Sequence, residues 1–156
     1  MIVDEAHNFR GATAGRYDDL QLICKTPRIN EGLVKGHHKK VMLLSATPLN
    51  NRPTDLLNLL LLFQNARYST IEGVQNLPVT FSPWIEEYDK LMRERKLDKK
   101  NERNAVFAKR TDDLYEKIRT QVIDKVTVRR TRNNIKKVPA YKKRTWMTST
   151  SYSPTF

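Results

Sequence analysis

The fold prediction depends on the stretch Val41-Met42-Leu43-Leu44-Ser45-Ala46-Thr47-Pro48, in which four apolar residues run directly into a hydroxyl-rich loop. An apolar run this short, ended by turn residues, is typical of a parallel strand that is buried on both faces. At the N-terminus, Ile2-Val3 has the pattern of a strand end and leads into the polar run Asp4-Glu5-Ala6-His7. Two strands that each deliver polar residues to a loop predict an α/β fold with a doubly wound parallel sheet, whose ligands bind at the carboxyl ends of its strands.

Helical patterns occupy most of the remaining sequence. The predicted helices cover residues 17–24, 55–64 and 105–126, and another begins near residue 82. The helix at 55–64 is apolar nearly all round and is therefore expected to be buried. In the helix that begins near residue 82, Trp84 and Tyr88 recur at helical spacing with Ile85 and Leu91, which favours a place in the core over stacking on nucleic-acid bases. A parallel sheet of two strands is not stable alone, so the rest of the sheet is expected to lie outside this chain.

The net charge of +12 is concentrated in the C-terminal half of the chain. Residues 81–156 carry 20 basic and 10 acidic side chains, and no acidic residue follows Asp124. A basic run of this kind suits a polyanion such as DNA or RNA, and a solvated basic tail is the alternative. The predicted organisation is a lobe segment at 1–64, a mainly helical extension at 65–126, a basic segment at 127–144 and a disordered tail at 145–156.

Two short motifs contain residues suited to nucleotide chemistry. At the end of the first predicted strand, Asp4 can hold a hydrated magnesium ion on phosphates, and Glu5 can orient and deprotonate an attacking water. His7 follows two residues later and is placed to hydrogen-bond a neighbouring loop. After the second predicted strand, the hydroxyls of Ser45 and Thr47 can bond side chains at the adjacent strand end, although these residues alone also fit an ordinary hydroxyl-rich turn.

The two motifs together resemble a known family. Asp-Glu-Ala-His followed by Ser-Ala-Thr, each after a short apolar strand, resembles motifs II and III of superfamily 2 helicases. The longer run from Leu43 to Leu56, which continues through Thr-Pro-Leu and an asparagine-containing turn into an apolar helix, resembles the Swi/Snf-type branch of DNA translocases. The later run Val128-Arg129-Arg130-Thr131-Arg132, with Val138-Pro139 downstream, resembles the double-arginine segment that follows the first lobe in that branch. The resemblance covers roughly residues 2–64 and 126–144.

The resemblance implies part of a RecA-like doubly wound lobe, incomplete in this chain, from a bacterial-type helicase or translocase that couples ATP hydrolysis to movement on DNA. It implies that Asp4 coordinates Mg²⁺ through water and that Glu5 is the catalytic base. The residues implied to link the ATP state to the grip on DNA are His7, Ser45 and Thr47. Those implied to lie near the lobe junction or the nucleic acid are Arg129, Arg130 and Arg132. ATP and Mg²⁺ are the implied cofactors, and double-stranded DNA and the remaining lobes of a longer parent protein are the implied partners.

The sequence lacks one part that such a motor needs. No phosphate loop of the form Gly-x-x-x-x-Gly-Lys-Ser/Thr occurs in the chain, although its backbone N–H groups and lysine are what cradle the phosphates of ATP. In the family, this loop precedes the Asp-Glu motif and a second lobe follows the double-arginine segment. The chain alone is therefore expected to bind ATP weakly or not at all and to be inactive as an enzyme.

The remaining features bear on location and on alternative functions. The longest apolar run, at 59–63, is far shorter than the roughly 20 residues that span a bilayer. The N-terminus has no signal-peptide pattern and Cys24 is the only cysteine, so a cytoplasmic location is expected. Two other functions stay open: a small basic nucleic-acid-binding module without ATPase activity, and an interaction fragment that self-associates through its incomplete sheet.

Overall fold

A computed structural model of the chain describes residues 1–11, 15–27, 39–45, 52–98 and 104–128. Met1–Val126 form one compact unit and Thr127–Phe156 form a second. The elements of the first unit, in chain order, are β1 (Ile2–Val3), a 3₁₀ turn (Ala6–Phe9), α1 (Gly15–Lys25), β2 (Met42–Leu43), α2 (Pro53–Leu61), α3 (Leu77–Leu97), α4 (Asn104–Ile118), a π-helical turn (Arg119–Ile123) and α5 (Asp124–Val126). The tail predicted at 145–156 lies outside the described residues.

The prediction of a RecA-like doubly wound parallel-sheet lobe is wrong. Helices make up 66% of the described residues, and the sheet found there consists of β1 and β2, paired in parallel. The prediction that the strand at 41–44 is buried on both faces also fails, because Met42 is 57% exposed. In the first strand, Ile2 is 68% exposed, whereas Val3 is 7% exposed. One face of the sheet packs against helices, as the burial of Val3 shows. In the described part of the chain, apolar helices rather than further strands supply most of the core.

Helix α2 is the element that the two hydrophobic clusters of this unit share. Its sequence predicts burial nearly all round, and the structure confirms it: five leucines of residues 56–62 are buried. On one side, α2 joins a large cluster formed mainly with α3, α4 and the π-helical turn. On the other side, it joins a small cluster around β1 and α1, whose buried members are Val3, Ala6, Tyr17, Leu59 and Leu62.

Helices α3 and α4 lie antiparallel and supply seven of the fourteen buried residues of the large cluster. Near the C-terminal end of α3, Glu94 pairs with Arg110 of α4 at 2.8 Å. Further from that end, the rings of Tyr88 and Tyr115 meet edge to face with their centroids 6.4 Å apart. Trp84 is 7% exposed, which confirms that it belongs to the core rather than to a base-stacking surface.

Helix α3 begins at Leu77, earlier than the predicted start near residue 82. The side-chain oxygen of Asn76 accepts a hydrogen bond from the N–H of Val79 at 3.2 Å and so caps the helix. Pro78 lies in the first turn, where a backbone N–H has no helical acceptor, so it does not interrupt the helix as its sequence position suggests.

Helix α4 continues into the π-helical turn, which contributes the last buried residues of the large cluster in chain order. The wider turn allows the consecutive residues Val122 and Ile123 to face the cluster together, at 0% and 3% exposure. Beyond it, Lys125 Nζ donates to the carbonyl oxygen of Glu72 at 2.7 Å. That carbonyl precedes Gly73, whose φ of 73° requires the left-handed conformation that glycine adopts freely.

Candidate functional site

The parallel pairing of β1 and β2 brings the two sequence motifs to neighbouring strand ends. Val3 lies opposite Leu43, and the N–H of Leu44 donates to the carbonyl oxygen of Val3 at 2.8 Å. Beyond the strands, the N–H of Ala6 donates to the carbonyl oxygen of Leu44 at 2.9 Å. Ser45 follows directly, so the turn that carries the first motif lies against the residue that precedes the second.

The turn after β1 holds Asp4 and Glu5 in a tight conformation. Glu5 has φ 50° and ψ 43°, a left-handed conformation that costs an L-residue roughly 1–2 kcal/mol. Asp4 Oδ1 accepts a hydrogen bond from the N–H of Glu5 at 2.8 Å, and the carbonyl oxygen of Glu5 accepts one from the N–H of Asn8 at 3.0 Å. Both acidic residues are exposed, so the turn presents two adjacent carboxylates to solvent.

His7 contacts the second of these carboxylates. Its Nδ1 atom lies 3.0 Å from Glu5 Oε2, and the two side chains are 32% and 60% exposed. The contact lacks hydrogen-bond geometry, and the buried Nδ1 atom has no hydrogen-bond partner within the described part of the chain. The imidazole therefore restricts the positions open to the Glu5 carboxylate.

A polar network from α1 and α2 holds the same turn in place. Asn58 Nδ2 of α2 donates to the carbonyl oxygen of Arg10, the residue that ends the 3₁₀ turn, at 2.7 Å. Tyr17 Oη of α1 donates to the carbonyl oxygen of Asn58 at 2.8 Å, and Gln21 Nε2 donates to that of Leu61 at 2.9 Å. The network therefore ties both helices to each other and to the end of the 3₁₀ turn that contains His7.

Sequence reasoning missed this network, although two signals for it were present. Asn58 is the lone polar residue within the apolar run 56–62, and Tyr17 and Gln21 are four residues apart, which places them on one face of a helix. Burial, followed by the negative charge of Asp18, raises the pKa of Tyr17 above its ordinary value. The phenol therefore stays protonated and remains a donor to α2 over a wider range of pH.

The predicted site residues divide into two groups. Those that the structure places at the two neighbouring strand ends are Asp4, Glu5, His7 and Ser45. Those that lie outside the described residues are Thr47, Arg129, Arg130 and Arg132.

The turn suits a hydrated magnesium ion better than a fully ligated metal. Within the described residues, no group of three or more His, Cys, Asp or Glu side chains is arranged to hold a metal ion. Mg²⁺ held on a nucleotide needs only one or two carboxylates, with phosphates and water as its other ligands, and the exposed carboxylates of Asp4 and Glu5 fit that requirement. Beside the turn is a recess of about 340 Å³, lined by Asn8, Phe9, Gly11, Gly15, Arg16 and Tyr17.

None of the helices in the described ranges combines the length and the apolar character that crossing a membrane requires. Comparisons of the chain with protein-family models, with curated proteins and with solved structures gave no match. The resemblance to superfamily 2 helicases therefore stays a prediction. A proposal of function has to be based on the motif residues and on their geometry at the two strand ends.

Proposed function

We propose that the chain is part of an ATP-dependent motor that moves on double-stranded DNA, similar to the Swi/Snf-type helicases and translocases. The observation that carries this proposal is the pairing of the Asp-Glu-Ala-His strand with the Ser-Ala-Thr strand, extended by the 2.9 Å hydrogen bond from Ala6 to Leu44. The parallel pairing brings both motifs to the same edge of the sheet, so residues of the two motifs can act on one ligand.

Each residue of the turn has a separate role in this proposal. Asp4 carries the carboxylate that holds hydrated Mg²⁺ on the phosphates. Glu5 orients the attacking water and accepts its proton as the terminal phosphoryl group of ATP is transferred to that water and ADP leaves. His7 lies 3.0 Å from Glu5 Oε2, and together with Ser45 it links the position of Glu5 to the neighbouring loop.

The chain alone is proposed to lack ATPase activity. Its sequence contains no Gly-x-x-x-x-Gly-Lys-Ser/Thr run, so the phosphate cradle has to come from the remaining lobes of a parent protein. The exposed acidic turn then supplies the residues that bind magnesium and activate water, and those lobes supply the rest of the site. The residues proposed to lie at the junction with those lobes or on the DNA are Arg129, Arg130 and Arg132.

The magnesium role can be tested on this chain without any catalysis. Paramagnetic Mn²⁺ takes the same oxygen ligands as Mg²⁺, and it broadens NMR signals of nearby amides even when binding is weak. With Mn²⁺ and ATP added to the ¹⁵N-labelled chain, we expect selective broadening of the amides of residues 4–7 and 44–45. Asp4→Asn is expected to abolish that broadening.

The matched control is Asp18→Asn, which removes an equally exposed aspartate from the first turn of α1. This variant is expected to retain the broadening at residues 4–7 and 44–45. Broadening that survives Asp4→Asn, or that is absent from this turn in the unmodified chain, would refute the proposed magnesium role.

The second candidate function is a small basic module that binds nucleic acid without ATP. The feature that favours it is the run of nine basic residues after Asp124 with no acidic residue among them. This candidate predicts DNA binding that weakens steeply with salt. It also predicts no selective Mn²⁺ broadening at the Asp4 turn, so the same NMR experiment separates the two functions.

A further inference from the structure

Charge is separated along the antiparallel pair of α3 and α4. The hairpin tip is defined as residues 93–98 and 104–110, and the hairpin base as residues 77–92 and 111–118. The tip carries five basic and two acidic side chains, whereas the base carries two basic and six acidic ones. In sequence, residues 99–103 add three basic and one acidic side chain between the two parts of the tip. The basic side chains of the tip are Arg93, Arg95, Lys96, Lys109 and Arg110.

The pairing of the helices gathers these cations at one end of the hairpin. The 2.8 Å ion pair between Glu94 and Arg110 joins the C-terminal part of α3 to the N-terminal part of α4. Four of the five basic residues are exposed, and the side chain of Arg110 is 40% exposed despite its ion pair. The tip is therefore a positively charged surface contributed by both helices.

Helix stability explains only part of this charge. Arg95 and Lys96 lie in the last turn of α3, where the helix dipole stabilises cations. Lys109 and Arg110 lie in the second turn of α4, beyond the first turn within which the helix dipole acts, so the dipole does not account for them. The helix dipole thus explains cations on the α3 side of the tip but not those on the α4 side.

We infer that the hairpin tip binds the phosphate backbone of double-stranded DNA at a surface separate from the Asp-Glu-Ala-His turn. The small cluster that carries that turn contains no residue of α3 or α4. Lysine and arginine contacts to phosphates give affinity that is independent of sequence and steeply dependent on salt. The acidic base repels a polyanion and so directs it towards the tip. The choice of DNA as the polyanion rests on the proposed function, whereas the position of the surface does not.

The test compares two triple variants that lose the same formal charge. The tip variant is Arg95→Gln, Lys96→Gln and Lys109→Gln, which removes exposed cations and keeps good helix formers in place. The control variant is Arg67→Gln, Lys90→Gln and Lys117→Gln, which removes three exposed cations outside the tip. Binding of a fluorescein-labelled DNA duplex is measured by anisotropy between about 50 and 200 mM salt, and circular dichroism checks that both variants keep their helices.

For the tip variant we expect the DNA affinity at low salt to fall at least tenfold. We also expect the slope of log affinity against log salt to become shallower by about 3, because each lost phosphate contact removes roughly 0.9 from the slope. The control variant should change the slope by less than 1. Equal losses in the two variants, or no DNA binding by the unmodified chain, would overturn the inference.

Two further arms separate other outcomes. Leu97 and Val106 of the tip are 81% and 56% exposed, so vesicles with anionic phospholipids are a second polyanionic probe. Loss of vesicle binding in the tip variant without loss of DNA binding would overturn the assignment to DNA. Mn²⁺ broadening at the Asp4 turn should be the same in the tip variant and the unmodified chain. If the broadening is absent from both chains, the proposed magnesium role is refuted. A DNA affinity that falls in the tip variant would even then support the inference that the tip binds DNA.

Discussion

Replacing Leu62 by alanine tests whether α2 joins the candidate site to the helical core. Leu62 is fully buried in the small cluster with Val3, Ala6 and Tyr17, directly beneath the turn that carries Glu5 and His7. Removing a buried leucine side chain costs the lost burial plus the energy of the cavity, about 2–5 kcal/mol in all. The cluster has only five buried members and can partly collapse, so we expect a loss of about 3 kcal/mol.

The assay is urea unfolding followed by two signals in a Trp146→Phe background. Circular dichroism reports the helices as a whole, and fluorescence then reports Trp84, which is buried in the large cluster. Because α2 contributes leucines to both clusters, we expect Leu62→Ala to lower the unfolding midpoint equally by both signals. Leu97→Ala, at a leucine that is 81% exposed, is the matched control and should change stability by less than about 0.5 kcal/mol. A loss below about 1 kcal/mol in Leu62→Ala, or an unchanged Trp84 transition, would refute the reasoning.

Three further predictions concern the turn, a buried tyrosine and catalysis. Glu5→Gly should be more stable than Glu5→Ala by about 1 kcal/mol in urea unfolding, because glycine adopts φ 50° without strain. A glycine variant that is less stable than the alanine variant would contradict the turn geometry. Burial, followed by the nearby Tyr88 and Asp55, raises the pKa of Tyr115 from 10.0 to about 12, so its contribution to stability is complete below pH 10 and is lost as the pH rises to about 12. Between pH 10 and about 12, Tyr115→Phe should therefore lose less stability than the unmodified chain. An equal loss in the two chains would contradict the raised pKa of Tyr115. The chain alone should show no Mg²⁺-dependent ATP hydrolysis above that of buffer, and turnover that Glu5→Gln abolishes would contradict the proposal.

Hydrophobic periodicity predicted the helices well because local spacing determines which face of a helix is buried. The residues that recur on one side of α4 and the π-helical turn after it, from Phe107 to Val122, are those that enter the large cluster. The start of α3 lies before the predicted residue 82, because the cap formed by Asn76 makes Pro78 an acceptable residue in the first turn.

The sheet was harder to predict, since a short apolar run does not say how many strands will join it. The run 41–44 indicates a strand, and β2 forms there, but its burial depends on tertiary neighbours that the run does not specify. In the structure, Met42 and Leu44 are 57% and 43% exposed, because helices pack on one side of a two-stranded sheet.

The positions of the motif residues at the strand ends were predictable, but the contacts that hold the turn in place were not. The motifs indicated Asp4, Glu5, His7 and Ser45 as residues at strand ends, and the structure places them there. The left-handed conformation of Glu5 could not be read from its residue type, because glutamate rarely adopts it. The contribution of Asn58 depends on the way α2 packs against the turn, which is a tertiary property.

The most direct test of the central claim, that the two motif segments form one site, is NMR measurement of the cross-strand contacts. The N–H groups of Leu44 and Ala6 donate across the strand ends at 2.8 and 2.9 Å. Both amides should be protected from hydrogen exchange and should show nuclear Overhauser contacts to the partner segment. Exchange at the rate of an unstructured chain, together with the absence of contacts between residues 3–6 and 43–45, would contradict the account.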